Sequence, residues 1–555
     1  MMNRPSPQSV RPRFLSSRSF LLTLTLIAMI WLANAIWRPL AEPDEGRYAE
    51  IPREMLGSGN WVVPHLNGIP YMEKPPLQYW ATAALYGVAG VHSWVSRLWN
   101  LGLGLALVFA IWRVARRVLD ESAGRLAALI TASGFLFSAM GQINTLDMGL
   151  SCLMSGALLG LMRWNRDDAQ IRYLWIAWLL LALAVLQKGL VGVVLPGFAL
   201  ALYILVQRDW RLVFRLRVPS GLLIVLVVNF PWWWLAQARE PGFVDWFFVH
   251  EHFTRFLTTE HGRSQPWWYF PVLLVVGSLP WLVPIARGVW NAWRTHPDAA
   301  GLAVERLLLV WAAAIFIFYA PSGSKLAPYI LPMMPPLALL AGLALSRPPA
   351  AGTHPPPRAT ATIALLMGLA LLCLPLFAPR VHAPAGRIAG YVDIARWGFF
   401  GGVALCAAAL YACFAATERA VAALALGMTL AVTSTSQGTR AIEDWRGANA
   451  IAVATSAALA PAATLFCVNV YPQTVIFQIA HTCITVADHG ELETQFDVDH
   501  TRHLDTLEDF IAAWNLTPDA VAIVAAESWQ QLQSRLFPAN VRFSNSTSVV
   551  ISKQP

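Results

Sequence analysis

Charged side chains are scarce in this chain of 555 residues, since only 13% are Asp, Glu, Lys or Arg while 56% are hydrophobic. A soluble globular chain normally carries about 25% charged residues, so the shortage excludes an ordinary soluble protein. The apolar residues are gathered into long runs, and about 20 such residues are needed to cross a bilayer. The composition therefore predicts a protein with repeated membrane spans rather than one anchor.

Signals of several other protein classes are also missing. The chain has no Cys/His spacing of the zinc-finger kind and no internal repeat, which many transporters carry. The first apolar run, Ser19 to Trp37, lacks the small-residue cleavage site of a signal peptide, so we expect a retained helix. The net charge of +8 does not indicate nucleic-acid binding, because most Arg residues sit in short clusters between apolar runs.

The apolar runs predict about thirteen membrane spans, each of roughly 17 to 25 residues. The Arg-rich, acid-free N-terminus is expected to stay inside, and the Arg clusters of later short loops then fall on the same side. Residues 38–96, the first loop, are amphipathic and punctuated by proline, which predicts interfacial helices on the outer side. An odd number of spans also places the C-terminal tail outside.

This organisation predicts an all-α polytopic membrane domain over residues 1–439 and a small α/β domain over residues 440–555, the tail domain. The tail alternates polar segments with apolar runs that predict strands, and a helix is expected near its end. The predicted strands cover 464–470, 520–525 and 548–551, and the predicted helix covers 528–536. Cys467 and Cys483 both lie in this tail, and the sequence leaves open whether they pair.

The predicted threading sends a set of polar residues to one outer face of the membrane domain. For any one of them alone, a solvated loop charge is the simpler interpretation. Their co-location in loops otherwise poor in charge predicts a single site. The set consists of Asp44, Glu73, Lys74, Asp147, Lys188, His252 and Lys325.

Two segments of the first loop carry the strongest chemical signal. In residues 42–48, Asp44 is followed three positions later by Arg47, close to the end of the first span, where a charge is costly unless it is used. In residues 71–76, two prolines follow Glu73 and Lys74 and stiffen the backbone that holds them.

These segments resemble the polyprenol-phosphate-dependent glycosyltransferases of GT-C fold. Within that superfamily, motif order and chain length are most similar to the 4-amino-4-deoxy-L-arabinose transferases that modify lipid A, as in polymyxin resistance. The resemblance extends to about residue 340, and a soluble outer tail domain is also of the kind found in these transferases. Its motifs are Asp44–Tyr48, Glu73–Pro76 and Thr145–Asp147, supported by 187–189, 251–256 and 324–332.

The resemblance implies catalytic roles for Asp44 and Asp147. It also implies a divalent metal ion, Zn²⁺ or a similar ion, held by Glu73 and His252, although two ligands are too few for a closed structural site. Residues expected to bind the donor phosphate or line the sugar are Arg47, Tyr48, Tyr71, Lys74, Lys188, Arg255, Lys325 and Tyr329. For the tyrosines, an interfacial aromatic belt is an equal alternative.

The function implied is transfer of aminoarabinose from undecaprenyl phosphate to a lipid A phosphate at the periplasmic face of the bacterial inner membrane. Whether Asp44 acts as a general base or only positions the reactants depends on the acceptor. One alternative is a GT-C enzyme that transfers another sugar, such as mannose or galactosamine, to protein or glycan. A transporter of lipid-linked sugars is a second alternative, but transporters usually place their charges at mid-span.

Overall fold

The computed structural model describes residues 16–166, 170–248, 265–295, 302–347, 356–383, 385–442, 448–487 and 501–554. His252, Arg255 and the rest of the 251–256 segment, to which the sequence assigned functional roles, lie outside these residues.

The membrane domain is built from helices, and its first loop also contains one short β-hairpin. Up to residue 166 the elements are α1 (Ser17–Trp37), α2 (Asp44–Ser58), β1 (His65–Leu66), β2 (Ile69–Pro70), α3 (Leu77–Ala89), α4 (Leu98–Val118), α5 (Glu121–Ser133), α6 (Phe135–Met140) and α7 (Leu146–Arg166). They are followed by α8 (Arg172–Lys188), α9 (Val191–Gln207), α10 (Arg211–Arg215), α11 (Val218–Arg239), α12 (Tyr269–Gly277), α13 (Leu282–Arg294), α14 (Val304–Tyr319), α15 (Met334–Ser346), α16 (Pro356–Phe377), α17 (Ala385–Phe414) and α18 (Thr417–Gln437).

The chain is a multi-pass membrane protein. Among the described residues, 8 helices are long and apolar enough to cross a membrane, or up to 9 if the bent pair α12 and α13 is one span. Every other predicted span also falls on a helix, but α5, α8, α9 and α14 are only 13, 17, 17 and 16 residues long. The predicted odd number of crossings therefore stays a prediction.

The centre of the membrane domain is α15, in which every residue from Met334 to Leu345 is buried. A helix that is hydrophobic on all sides belongs inside a bundle. Its close packing against α5 requires a glycine, because a Cβ at Gly342 would lie 2.7 Å from the backbone nitrogen of Ala127. Small residues at such contacts let two helix backbones approach, which is how helices associate in a bilayer.

Buried amides join the first and last helices of this domain. The Asn34 amide of α1 donates to Gln142 at 2.8 Å, and Gln142 also accepts a hydrogen bond of 3.0 Å from Thr433 of α18. Ser436 and Gln437 donate to the Asn34 carbonyl oxygen. Unpaired polar groups are costly away from water, so these bonds fix where α18 ends and where the tail domain can start.

The predicted interfacial loop folds as α2, the β1–β2 hairpin and α3. The hairpin turns at Asn67 and Gly68, whose φ angles of 58° and 72° are those of a two-residue turn with Asn-Gly at its centre. One side of α3 is buried through Tyr79, Ala83 and Tyr86. The first loop thus consists mainly of two short helices and a hairpin.

The tail domain contains one mixed sheet, as the alternating pattern predicts. Its elements are α19 (Ala448–Ala458), β3 (Thr464–Val468), α20 (Gln473–Ile479), β4 (Ile484–Val486), β5 (His503–Leu504), α21 (Leu507–Leu516), β6 (Ala520–Ala525), α22 (Ala526–Leu532), β7 (Asn540–Ser544) and β8 (Ser548–Ser552). The strand order is β5-β4-β3-β6-β8-β7, with β3 parallel to β4 and β6 and with β8 antiparallel to its neighbours. The all-α membrane domain with a small α/β tail is confirmed, while the exact boundary at 440 stays a prediction.

A disulfide joins Cys467 of β3 to Cys483, which immediately precedes β4, with a Cα–Cα distance of 6.0 Å. This distance is typical of disulfides. The bond ties the start of β4 to the central strand of the sheet. The pairing that the sequence left open is therefore present.

We expect replacement of both Cys467 and Cys483 by Ala to lower the free energy of unfolding of the tail domain by about 3 kcal/mol, because the bond closes a loop with a sequence separation of 16 residues. Limited proteolysis in increasing urea, followed by peptide mapping of the tail, measures this change. Cys373→Ala is the matched control, since Cys373 is an exposed free thiol. Equal protease resistance in the double variant and the control would contradict the prediction.

Candidate active site

The first ion pair of the candidate site lies at the start of α2. Asp44, Arg47 and Tyr48 fall on one face of the helix because they are spaced by three and four positions. The Arg47 guanidinium donates to the Asp44 carboxylate and lies 5.0 Å from the centre of the Tyr48 ring. The Asp44 side chain is 56% exposed, whereas that of Arg47 is 5% exposed. The carboxylate therefore opens to solvent while its cation stays enclosed.

The segment between β2 and α3 adds a second group of polar side chains. The Tyr71 hydroxyl donates to Glu73 Oε2 at 3.1 Å. Lys74 Nζ donates to the backbone oxygen of Glu73 at 3.0 Å and lies 3.8 Å from its Oε2. Burial raises the pKa of the Tyr71 phenol well above its ordinary value. At neutral pH Tyr71 is therefore a hydrogen-bond donor, next to a carboxylate and an ammonium group.

The second ion pair joins two membrane helices. Lys188 at the end of α8 donates to the carboxylate of Asp147 at the start of α7, and both side chains are largely enclosed, at 17% and 15% exposure. The Lys188 ammonium also lies 5.3 Å from the centre of the Tyr329 ring, within the range of a cation–π contact. Tyr329 in turn stacks on Tyr319 of α14 at 4.9 Å.

The Tyr48 phenol connects the two ion pairs. Burial raises the pKa of this phenol above its ordinary value, and the Arg47 guanidinium opposes that shift. The carboxylates of Asp44, Asp147 and Glu73 add to it. Tyr48 also packs in one buried cluster with Tyr71, which hydrogen-bonds to Glu73, and with Leu146, the neighbour of Asp147. The structure therefore brings the two predicted catalytic aspartates and the predicted metal ligand Glu73 to one place.

Glu45, which directly follows Asp44, is a fully buried residue to which the sequence assigned no role. It accepts hydrogen bonds from the guanidinium of Arg38 at 2.6 Å and from that of Arg97 at 2.8 and 3.0 Å. Two backbone N–H groups, of Ala41 and Asn144, also donate to it, both at 2.9 Å.

These donors keep Glu45 ionised. Burial acts to raise the pKa of Glu45, but the neighbouring cations of Arg38 and Arg97 outweigh it and lower the pKa to about 2. Because Glu45 directly follows Asp44, and Asn144 lies three residues before Asp147, one carboxylate anchors the backbone beside both aspartates. A signal was present in the sequence, since Arg38 and Arg97 stand at the ends of two apolar runs, where a cation needs a partner.

The remaining predicted site residues are less closely tied to this cluster. Lys325 is buried, and its Nζ donates to the backbone oxygens of Ser322 at 2.7 Å and of Gln265 at 3.2 Å. Its role as a phosphate ligand stays a prediction, as does that of Arg255, which lies outside the described residues. Within the described parts of the chain, no group of three or more His, Cys, Asp and Glu residues is placed to hold a metal ion. A metal bound through Glu73 would therefore need His252, which is not among those residues.

Two family models match this chain. Residues 73–234 match dolichyl-phosphate-mannose-protein mannosyltransferase, and residues 451–553 match the aminoarabinose transferase C-terminal domain. The second match covers the mixed sheet of the tail domain.

Several curated proteins similar to this chain carry the name undecaprenyl phosphate-alpha-4-amino-4-deoxy-L-arabinose arabinosyl transferase. The Pseudomonas fluorescens protein is 32% identical over 396 residues, which are 69% of this chain and 70% of the relative. The Sodalis glossinidius protein is 35% identical over 330 residues, 58% of this chain and 57% of the relative. In the latter case the match spans somewhat more than half of the relative's length.

A solved structure matches over nearly the whole length of the chain. The crystal structure of ArnT from Cupriavidus metallidurans bound to undecaprenyl phosphate is 31% identical and superposes with a TM-score of 0.88. The match covers 97% of this chain and 98% of that protein. The likeness therefore includes both the membrane domain and the tail domain.

We expect Glu45→Gln to destabilise the protein by about 3 to 5 kcal/mol, because removing one partner of a buried ion pair leaves the Arg38 and Arg97 cations uncompensated. Thermal unfolding of the detergent-solubilised protein measures the loss. The matched control is Glu508→Gln, which removes a carboxylate from an exposed pair with Arg535 and should leave the transition within error of the parent. A Glu45→Gln variant that unfolds together with this control would contradict the role given to Glu45.

Proposed function

This chain belongs to the family of undecaprenyl phosphate-α-4-amino-4-deoxy-L-arabinose arabinosyl transferases, and on that premise we propose that it is a glycosyltransferase of lipid A. It takes 4-amino-4-deoxy-L-arabinose from undecaprenyl phosphate and transfers it to a lipid A phosphate at the periplasmic face of the bacterial inner membrane. The observation that carries the proposal is the presence of two carboxylate–cation pairs, Asp44–Arg47 and Asp147–Lys188, beside one buried cluster that contains Tyr48 and Leu146.

The cations suit the leaving group of this reaction. When the bond between sugar and phosphate breaks, negative charge collects on the oxygens of the polyprenyl phosphate. Arg47, Lys74 and Lys188 are held in place before substrate arrives by the contacts that they make to Asp44, Glu73 and Asp147. Preorganised cations in an enclosed site stabilise developing charge without first having to reorient.

The carboxylates suit the other half of the reaction. A sugar that loses its phosphate becomes oxocarbenium-like, and a nearby carboxylate stabilises that positive charge. Asp44 has the exposed side chain needed to approach the sugar. A lipid A phosphate is already ionised at neutral pH, so it attacks without a general base. In this proposal Asp44 therefore stabilises and positions the sugar, including its amine.

Three observations support a periplasmic site. The helices leave both aspartates at helix starts, Asp44 in α2 and Asp147 in α7, rather than at mid-span. The positive-inside pattern of the sequence directs these ends outward. The tail domain also contains the Cys467–Cys483 disulfide, and such bonds persist in oxidising compartments such as the periplasm.

A divalent metal ion is a separate part of the proposal. Glu73 and His252 would hold it, with water or substrate completing its coordination. When bound, such an ion would supply positive charge near the phosphate. The Glu73 carboxylate also contacts protein groups: it accepts a hydrogen bond from the Tyr71 hydroxyl, and its Oε2 lies 3.8 Å from the Lys74 ammonium group.

The function is tested in cells that lack their own aminoarabinose transferase and express this chain. We expect mass spectrometry of lipid A to show the gain of one aminopentose, together with resistance to polymyxin. Asp44→Asn should abolish the gain while the protein inserts normally, because the neutral amide cannot stabilise the charge on the sugar. Asp509→Asn is the matched control, since Asp509 is an exposed residue of the tail domain.

Unmodified lipid A in cells with correctly inserted parent protein would overturn the proposed sugar or acceptor. A mass gain of another sugar on lipid, protein or glycan would then identify the alternative transferase. A fully active Asp44→Asn variant would remove Asp44 from the mechanism.

For the metal ion, we expect the zinc content of the purified protein, measured by inductively coupled plasma mass spectrometry, to fall in both Glu73→Ala and His252→Ala, because each removes a ligand. Glu508→Ala is the control for loss of a carboxylate elsewhere. If both variants bind as much zinc per chain as the parent, the metal proposal is wrong.

A further inference from the structure

The segment that carries Asp44, residues 42–48, is called the catalytic loop below. The tail domain contacts it on both sides of Asp44 in the sequence. Two residues before Asp44, the Glu42 carboxylate accepts a hydrogen bond from the backbone N–H of Thr474 in α20. Two residues after it, Gly46 lies directly against the same Thr474. The backbone that carries Asp44 is thus bracketed by two contacts with one turn of the tail domain.

The contact at Gly46 leaves no room for a side chain. A Cβ at this position would lie 2.6 Å from the backbone nitrogen of Thr474 and 2.9 Å from the carbonyl carbon of Gln473. Both are backbone atoms, so the clash cannot be relieved by a change of rotamer. A glycine inside a helix costs about 0.5 to 1 kcal/mol relative to alanine. The close approach of the tail explains its presence in α2.

A second point of contact lies at the hairpin of the first loop. The Asn67 side chain accepts from the backbone N–H of Cys483 and donates to the backbone oxygen of the same residue, both at 2.8 Å. Arg502 of the tail donates to the backbone oxygen of Asn67 at 3.2 Å. The Glu54 carboxylate of α2 accepts from the backbone N–H groups of Asn67 at 2.7 Å and Gly68 at 2.9 Å. The hairpin therefore links α2 to the tail domain.

Apolar side chains fill the space between these polar contacts. Phe477 of α20 packs with Leu40, Ala49 and Tyr86 in one buried cluster, and its ring lies 6.3 Å from that of Tyr86. Tyr471 packs against a second cluster, which contains Tyr48, Tyr71 and Tyr79 of the candidate site. The interface is thus continuous from the hairpin to the wall of the active site.

We propose that the tail domain positions the catalytic loop, with Glu42, Gly46 and Asn67 as the residues through which it acts on Asp44. The inference rests on the proposed transferase function and gives the tail domain a part in it. The Cys467–Cys483 disulfide contributes to this positioning. It fixes Cys483, whose backbone is hydrogen-bonded to the Asn67 side chain, to the central strand β3.

The sharpest test compares Gly46→Ala with Gly57→Ala, two identical substitutions in the same helix. A Cβ at Gly57 would meet nothing within 4 Å, so this variant is the matched control. Full-length proteins are purified in lipid nanodiscs and assayed with the lipid-linked aminoarabinose donor and lipid A. We expect kcat of Gly46→Ala to fall roughly tenfold or more, since small displacements of a catalytic group are costly. The KM for the donor should stay within about twofold of the parent, because Lys74 and Lys188, two of the cations proposed to bind its phosphate, lie outside α2 and keep their contacts to Glu73 and Asp147.

A second measurement does not depend on activity. Amide hydrogen exchange of peptides covering residues 42–58 should be faster in Gly46→Ala than in the parent, and unchanged in Gly57→Ala, since only the former displaces the tail. Asn67→Gly serves as the second variant. It keeps the left-handed turn conformation but loses both bonds to Cys483, and it should accelerate exchange and lower kcat in the same direction.

The possible outcomes distinguish the positioning role of the tail domain from the proposed transferase function. Equal exchange and equal kcat in Gly46→Ala, Asn67→Gly and Gly57→Ala would overturn the positioning role. A fall in both kcat and thermal stability in all three variants, the Gly57→Ala control included, would also overturn it, because the effect would then not depend on the tail contacts. A parent protein that transfers no aminoarabinose would contradict the proposed function, while the exchange measurement would still decide whether the tail holds the loop.

Discussion

The buried carboxylate of Glu45 is the contact on which the geometry of the membrane domain depends. Its partners come from the end of α1, the turn before α2, the start of α4 and the approach to α7. Burying a charge away from water is expensive unless it is paired and fully hydrogen-bonded, so these four segments have one low-energy arrangement. The positions of Asp44 and Asp147 follow from it, because each lies within three residues of a segment that the carboxylate holds.

The charged groups of the candidate site differ in their exposure to solvent. The cations of Arg47 and Lys188 are enclosed and each is matched to a carboxylate, whereas Asp44 opens to solvent. Enclosure strengthens the electrostatic effect of a cation, and exposure gives a lipid substrate access to the carboxylate from the membrane surface. The arrangement at the ends of helices differs from the mid-span sites of transporters. It fits the proposed transfer of a sugar between two lipid-borne substrates.

The sequence predicted much of this and missed what depends on distant contacts. Apolar runs located the membrane helices and the buried tail strands β3, β6 and β8, but not the short strands β4 and β5 or the more exposed strand β7. The family motifs pointed to Asp44, Asp147, Lys74 and Lys188, whose roles stay predictions, while the family and the fold are confirmed. Arg38 and Arg97 at the ends of two apolar runs signalled a need for a buried carboxylate, but the sequence did not identify Glu45 as that partner, because its contacts come from residues up to 99 positions away. Gly46 stands inside the Asp44–Tyr48 motif, but its steric role could not be predicted, because the backbone that it contacts belongs to Thr474, 428 positions later in the chain.

That last separation has a consequence for how the protein is made. Asn67 and Cys483 are 416 positions apart, and Glu42 and Thr474 are 432 apart. Chains are synthesised from the N-terminus and their domains fold as they emerge, so the loop with Asp44 is delivered long before the segment that completes it. A ribosome must finish nearly the whole message before the site can assemble. If the tail domain positions Asp44 as proposed, a chain that ends before residue 474 would carry this aspartate without the contacts that position it.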